Sequence, residues 1–393
     1  MASNAKIIGD LIAADSSVAI PGDGVILASD LADGSVTTAK LADANVTIGK
    51  IATTVPLGTK NLIINGNMAI AQRGTSSAGI TSPGYYTVDR VRTNIPNTNS
   101  GTWTMSQDTD VPTGQGFSYS LKYQCTTAKA TLDTNSLMQI HYLNEGQFLQ
   151  HLKWGSSNAE SVTLSFWVKS NKTGTYIVEL FQQETQARTF SKSYTIDSAN
   201  TWEKQTITFN GDTVQNLTND NNNRLNILFG LVAGTDYTSG TLATSWQNLN
   251  QVDRYTGQVN LADSTSNYIN ITGVQLEVGD TATSFEHRPY DMELARCQRY
   301  YHAQMTSFSA ADAISFLFNT YFPVTMRAVP TVSYSWGGVD GDFYRLADAS
   351  TPSFSSPNGL FATTNGILTG YKFGTSFATG ESYQTNWVLS AEL

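Results

Sequence analysis

The sequence predicts an all-β architecture: an N-terminal repeat stalk, a β-sandwich of jelly-roll type, a short linking helix and a second, smaller C-terminal β-sandwich. Three observations predict it. Charged residues make up only 14% of the 393 residues and apolar ones 40%, against roughly 25% charged in typical soluble domains. The surface must therefore be polar without being ionic. Asn, Thr, Ser, Gln and Gly supply that polarity, and with 18 Tyr and 17 Phe they favour strands and turns over helices. The second observation is a ten-residue repeat near the N-terminus, and the third is a series of short segments with period-two polarity. A chain of this length exceeds what one hydrophobic core usually serves, so two compact domains plus something less globular is the expectation.

Net charge is −9 and no run of Lys or Arg occurs, so the electrostatic footprint of phosphate binding is missing. Nucleic acid and anionic membrane are poor partners. The start, Met-Ala-Ser-Asn-Ala-Lys, has no charged region followed by an apolar one, and no stretch of 18 apolar residues occurs anywhere.

The repeat is Leu31-Ala-Asp-Gly-Ser-Val-Thr-Thr-Ala-Lys40 followed by Leu41-Ala-Asp-Ala-Asn-Val-Thr-Ile-Gly-Lys50. Large apolar residues fall five apart at Ile26, Leu31, Val36, Leu41, Val46 and Ile51. Five residues advance about 500° around a helix, and an odd step in a strand switches faces, so each decapeptide must mix conformations. One large apolar residue in five cannot surround itself. These six residues are therefore the expected stalk core, buried against other chains. A disordered low-complexity linker is the competing reading, and the strict spacing argues against it.

From Asn61 short strands of alternating polarity begin. Val162, Leu164, Phe166 and Val168 share one face, and a hairpin is expected next, with Asn171–Gly174 as the turn and Thr175–Phe181 as the returning strand. Further strands are expected at 117–124, 203–209, 225–233 and 268–278. In the last, Ile269 and Ile271 have one parity and Val274, Leu276 and Val278 the other, which predicts a β-bulge at Gly273 that keeps both sets in one core. A helix follows, on which Tyr290, Leu294, Cys297 and Tyr301 recur at i, i+4, i+7 and i+11 after Pro289. Asp291 and Glu293 in its first turn and Arg296 and Arg299 in its last turns suit the helix dipole. Residues 303–393 return to strand texture, with Phe322, Val324, Val332, Tyr334, Trp336 and Trp387–Leu389 as core or interface candidates.

Complete chemical motifs are absent. His141, His151, His287 and His302 are scattered, Cys125 and Cys297 read as buried thiols, and no nucleophile elbow, phosphate loop or dinucleotide fingerprint occurs. No catalytic residue, metal ligand or cofactor is assigned, and no enzyme is expected. Glycoside cleavage needs only two carboxylates roughly 5–10 Å apart. Asp340 and Asp342 meet that in a loose sense, and a solvated turn accounts for them better. Asp212, Asn219, Asp220 and Asn221 offer oxygen ligands to calcium or form an Asn-rich loop. Sugar rings stack on exposed aromatics, so Tyr334, Trp336, Asp340, Asp342, Tyr344 and Tyr371 are the candidate glycan contacts. Phe343 and Tyr383 belong to the same aromatic set, and each ring competes with a core or subunit-interface role.

Several segments resemble the tail-fibre or receptor-binding proteins of tailed phages, particularly the marine and cyanobacterial kind. Asn61-Leu-Ile-Ile-Asn-Gly-Asn-Met-Ala-Ile-Ala-Gln-Arg73 and Tyr86-Thr-Val-Asp-Arg90 resemble the start of that family's carbohydrate-binding-module-like jelly roll, and Thr163–Lys169 its central strand. The most specific block runs from Ile271-Thr-Gly-Val-Gln-Leu-Glu-Val-Gly279 through Phe285–Pro289 to Leu294-Ala-Arg-Cys-Gln-Arg-Tyr-Tyr301. The decapeptides look like trimeric phage stalks, and Phe322–Pro330 like the opening of the terminal β-domain. The resemblance covers nearly everything after residue 25. It implies an intertwined homotrimer, an exterior fibre of the virion made in the host cytoplasm, and a host cell-surface polysaccharide as ligand. In those terms residues 1–25 attach to another virion protein of tail, neck or capsid, 26–60 form the stalk, 61–288 the jelly roll, 289–302 the linking helix, and 303–393 the tip that meets the receptor. The long anchor domain of many tail fibres is not seen before the repeats. A structural neck or head fibre, or a capsid decoration protein, is the alternative, and a polysaccharide depolymerase the third reading.

Overall fold

Alternating polarity over residues 61–280 folds as two antiparallel six-stranded sheets packed face to face, in a computed structural model that describes residues 60–97, 99–309, 315–336, 339–340, 344–345, 358–372 and 382–393. The stalk residues Ile26, Leu31, Val36, Leu41, Val46 and Ile51, and also Asp342, lie outside the described residues. The first sheet has the order β1 (Ser76–Ile80), β3 (Thr102–Asp108), β4 (Ser120–Thr127), β12 (Tyr268–Val278), β6 (Val162–Ser170), β9 (Glu203–Phe209). The second has the order β11 (Gln247–Asn248), β8 (Arg188–Ile196), β7 (Gly174–Gln182), β10 (Asn223–Ala233), β5 (Leu137–Glu145), β2 (Val91–Asn94). Every pairing in both sheets is antiparallel.

The core is the interleaved set of inward residues from both sheets. Phe166 of β6 meets Phe229 of β10 edge to face with centroids 5.0 Å apart, and Tyr194 of β8 packs on the same ring at 5.1 Å. The expected strand at 203–209 is β9 and that at 268–278 is β12. The bulge is where parity places it: pairing of β12 with β6 shifts between Thr272 and Gln275, and Gly273 has φ +63°. Ile269, Ile271, Val274 and Leu276 are all buried in consequence. Val278 is a correction. It is 38% exposed, because by the last residue of β12 the sandwich no longer covers the strand.

The expected hairpin is a second correction. β6 and β7 share a core but belong to opposite sheets, so Asn171–Gly174 crosses the sandwich instead of joining neighbours. Period-two burial fixes which face of a strand looks inward and not which sheet holds it. The two-residue Asn-Gly or Asp-Gly signature of a tight hairpin is also missing here. Ser170 Oγ accepts from the Lys172 amide at 3.0 Å and the Tyr176 hydroxyl donates to the Lys172 carbonyl at 2.9 Å, closing the crossing.

The helix, α1, spans Tyr290–Gln298 with Pro289 at its N-cap. Its buried face differs from expectation. Tyr290 is 63% exposed whereas Glu293 and Cys297 are buried, because Glu293 accepts from the Asn65 amide and the Arg288 guanidinium, which pull that side of the first turn inward. Beyond α1, β13 (Tyr301–Ser309), β20 (Ser382–Ser390), β15 (Thr331–Trp336) and β16 (Val339–Asp340) form a third sheet with β17 (Tyr344–Arg345) beside β20. β14 (Ser315–Tyr321), β19 (Gly366–Lys372) and β18 (Asn358–Ala362) form a fourth. Thr59–Leu393 make up one compact unit.

Candidate functional site

Residues 61–73, Arg90, residues 274–276 and residues 286–301 gather in one place, and what they build is a clasp. β4 pairs β12 only over Tyr268–Ile271, so past the bulge the edge of β12 is open, and residues 61–66 take it. The Leu62 amide donates to the Leu276 carbonyl at 2.8 Å, and the Val274 amide to the Gly66 carbonyl at 2.9 Å. Asn61 Oδ1 accepts from the Leu276 amide at 3.1 Å. A Cβ on Gly66 would stand 2.0 Å from the Val274 carbonyl oxygen, so only glycine permits this approach.

Arginines complete the clasp. Arg288 donates to the Ile63 and Asn61 carbonyls and pairs with Glu286 at 2.9 Å and Glu293 at 3.2 Å. Arg73 lies 3.5 Å above the Tyr301 ring and Arg90 3.4 Å above the Tyr300 ring, and both pair with Glu392. Arg299 pairs at 2.8 Å with fully buried Glu145, which also accepts from the Tyr300 hydroxyl. Each of these charges meets an opposite one inside the protein, which leaves little for a ligand.

A groove of about 470 Å³ on the outer face of the second sheet is different. Strand register builds its floor. Arg92 of β2, His141 of β5, Leu228 of β10 and Glu179 of β7 stand in one row across four strands. Asn94 and Gln139 flank that row on one side, and Leu143, Asn226 and Phe181 on the other. Outward residues of a solvent-facing sheet are normally exposed, yet Gln139, His141 and Asn226 are each less than 9% exposed. The covering wall comes from the connection after β10, with Tyr237, Leu249, Gln251 and Arg254 lining it. Tyr255 seats that wall on the sheet above Gly230, where a Cβ would come 2.6 Å from its ring.

One hydrogen-bonded chain fixes the floor. Asn94 Nδ2 donates to Gln139 Oε1 at 2.8 Å, His141 Nε2 lies 3.0 Å from the same oxygen, and Gln139 Nε2 donates to the Tyr255 hydroxyl. That hydroxyl donates to Glu179 Oε2 at 2.7 Å. Glu179 is fully buried and also takes Arg254, Nε at 2.9 Å and Nη2 at 2.8 Å, and the Thr189 hydroxyl. The Glu179 charge is thus consumed by Arg254. Burial, reinforced by the charges of Arg92 and Arg254, holds the His141 pKa well below the usual imidazole range, so the ring is neutral at physiological pH. Asn226 Oδ1 is buried with no hydrogen-bond partner among the described residues. Such an acceptor stays costly unless water or a ligand donor fills it.

The sequence-derived contacts lie elsewhere. Tyr334, Trp336, Asp340 and Tyr344 fall on strands of the third sheet, Tyr334 opposite Trp387 and Asp340 opposite Ser335, whereas Tyr371 is on β19 of the fourth. Four of them thus share one sheet, Asp340 in register with Ser335 between Tyr334 and Trp336, and Tyr371 belongs to another. Asp212 and Asp220, weighed as calcium ligands, are bound by Arg188 at 2.6 Å and Arg224 at 2.5 Å, and no group of three metal-ligating side chains occurs among the described residues. Sequence reading missed the whole groove. Its available signal was polar residues interrupting apolar strands: Gln139 and His141 in Met138–Tyr142, Glu179 in Ile177–Leu180, Asn226 in Leu225–Leu228.

No protein-family model and no curated protein matches the chain. Among solved structures, the enzymatically active domain of tailspike protein 4 of bacteriophage CBA120 is similar at 13% identity and a TM-score of 0.30, over 56% of this chain and 21% of that one. A putative sugar-binding protein from Bacteroides thetaiotaomicron is similar at 11% identity and TM-score 0.31, over 56% of this chain and 100% of that one. The xylan-binding domain from Paenibacillus barcinonensis Xyn10C is similar at 13% identity and TM-score 0.27, over 55% of this chain and 97% of that one.

Proposed function

We propose that the chain is a non-enzymatic glycan-binding fibre protein of a bacterial virus, and that the groove over the second sheet holds the saccharide. The carrying observation is the groove floor: buried, pre-oriented amides and an imidazole, with an unfilled acceptor on Asn226, beside the half-buried rings of Phe181 and Tyr237. A sugar presents hydroxyls that both donate and accept, on a ring with flat C–H faces, and this combination serves it. Hydrolysis would need a pair of carboxylates across the groove, and the one acidic side chain of its floor, Glu179, is fully buried and held by Arg254. The groove is equipped for holding.

The decapeptides support the assembly part of the proposal. Residues 26–60 wind as a homotrimeric stalk and residues 1–25 meet another virion protein, so that three grooves on one stalk raise the effective concentration of later binding events. Tyr334, Trp336, Asp340, Asp342, Tyr344 and Tyr371 are the second proposed contact with the host surface.

The test is titration calorimetry of the full chain with envelope polysaccharides from candidate hosts. Phe181→Ala and Gln251→Ala should each weaken binding about tenfold while leaving the melting temperature within 2–4 °C of the parent. Binding that survives both substitutions unchanged would remove the groove from the proposal.

A further inference from the structure

The groove holds an unpaired cation within an acidic protein, although the terminal residue Leu393 also lines it. The chain carries 32 Asp and Glu against 23 Lys and Arg, yet the exposed lining of the groove includes two arginines and no Asp or Glu side chain, the floor's Glu179 being fully buried. The two arginines are not equivalent. Arg254 is neutralised by Glu179 through three charge-assisted hydrogen bonds. Arg92 has no carboxylate within ion-pair distance among the described residues, and its one hydrogen bond to a side chain is a long one, Nη1 to Asn94 Oδ1 at 3.3 Å. Elsewhere in the same unit Arg188 finds Asp212 and Arg299 finds Glu145, whereas half-buried Arg327 donates to backbone carbonyls instead and half-buried Arg296 makes no ion pair among the described residues.

Position matters as much as charge. Arg92 stands at one end of the cross-strand row Arg92, His141, Leu228, Glu179, on the edge strand β2, where the residue is half-buried and lines the groove. Next to it, His141 is 8% exposed and neutral, so it adds a hydrogen-bonding group without adding a competing charge. A guanidinium fork left unpaired at the end of a floor of neutral amides fits one anionic substituent on an otherwise hydroxyl-bearing ligand.

We infer that the groove selects an acidic saccharide, seating a carboxylate or sulfate substituent of the sugar on Arg92 while the neutral floor from Gln139 to Asn226 holds the ring hydroxyls. This rests on the groove being the saccharide site. It adds the chemical class of the ligand.

The experiment compares four probes on the full chain by calorimetry: oligogalacturonate, its fully methyl-esterified form, a sulfated galactan oligosaccharide and the desulfated galactan. Each pair shares a sugar backbone and differs in charge, and the two acidic members separate carboxylate from sulfate as the source. At least one acid should bind about tenfold tighter than its neutral partner, with an affinity that falls as salt rises from 0.05 to 0.5 M. Arg92→Gln should erase that difference and Arg92→Lys restore part of it. If neutral probes bind as well as acidic ones, and Phe181→Ala weakens both, saccharide binding in the groove stands and selection for acid is overturned. Failure of every probe to bind overturns the acidic class and counts against the saccharide reading itself.

Discussion

The clasp and the groove use the same kinds of residue on one sandwich and spend them differently. In the clasp, Arg73, Arg90, Arg288 and Arg299 are each matched by an acid, and the chain segments that supply them are contiguous runs such as Asn61–Arg73 and Leu294–Tyr301. In the groove, Arg92 is unmatched and Asn226 Oδ1 is unfilled, and the lining comes as single residues from four strands and a connection. The difference teaches that a dense sequence motif here marks a structural lock. Unfilled polar atoms alone do not set the groove apart, since Arg73 Nη1, Arg90 Nε and Arg288 Nε of the clasp also lack a hydrogen-bond partner among the described residues; what the groove adds is Arg92, an arginine at its lining with no acid in ion-pair range.

The largest expected effect should break the clasp. Arg288→Met leaves Glu293, itself 4% exposed, without its cation, and one-sided removal from a buried pair costs about 3–5 kcal/mol. Chemical denaturation reads it, and a change under 1 kcal/mol would mean the clasp is not load-carrying at that point. Gly273→Ala should cost less, about 1–3 kcal/mol, because a non-glycine residue at φ +63° is strained and its Cβ would meet the Phe117 ring at 2.6 Å. Denaturation of that variant with unchanged saccharide affinity would show that the bulge serves the first sheet and not the groove.

The smallest effect belongs to the groove and depends on pH. The unfolded chain protonates His141 near its ordinary value of 6.5, whereas the folded protein does so only well below it, chiefly through burial and then through Arg92 and Arg254. Protons therefore favour the unfolded state, so stability present above pH 6.5 is lost as pH falls toward the folded pKa, by at most about 1.4 kcal/mol per pH unit. Thermal melts between pH 7 and 5 should show this slope, and His141→Gln should flatten it. An unaltered slope in that variant would put the acid sensitivity in another group.

Legibility in the sequence follows the same division. Strands β9 and β12 and the bulge at Gly273 were readable because burial on one face writes a period of two, and a change of parity can be satisfied only by an extra residue. Where two structures share that period, the strands themselves are silent: β6 and β7 face one core from opposite sheets, and the only hint between them is the lack of a two-residue Asn-Gly or Asp-Gly turn. Tyr290 was misplaced because helical spacing counts apolar residues, and the first turn of α1 turns inward on Glu293, a charge whose partners Asn65 and Arg288 are set by tertiary structure. The groove depends on register. Arg92 and His141 are neighbours only because β2 pairs β5 with Val91 opposite Tyr142, and spacing along the chain carries no trace of it.

The central claim, that the groove receives the saccharide, with the C-terminal sheets at most a second contact, is tested most directly by amide hydrogen exchange of the full chain with and without an acidic oligosaccharide. The account predicts new protection at Val91–Asn94, in the helical turn Thr235–Thr238 and at Gln251–Asp253, with the clasp unchanged. Protection confined to Thr331–Trp336 and Gly366–Lys372, with the groove segments exchanging as before, would contradict it.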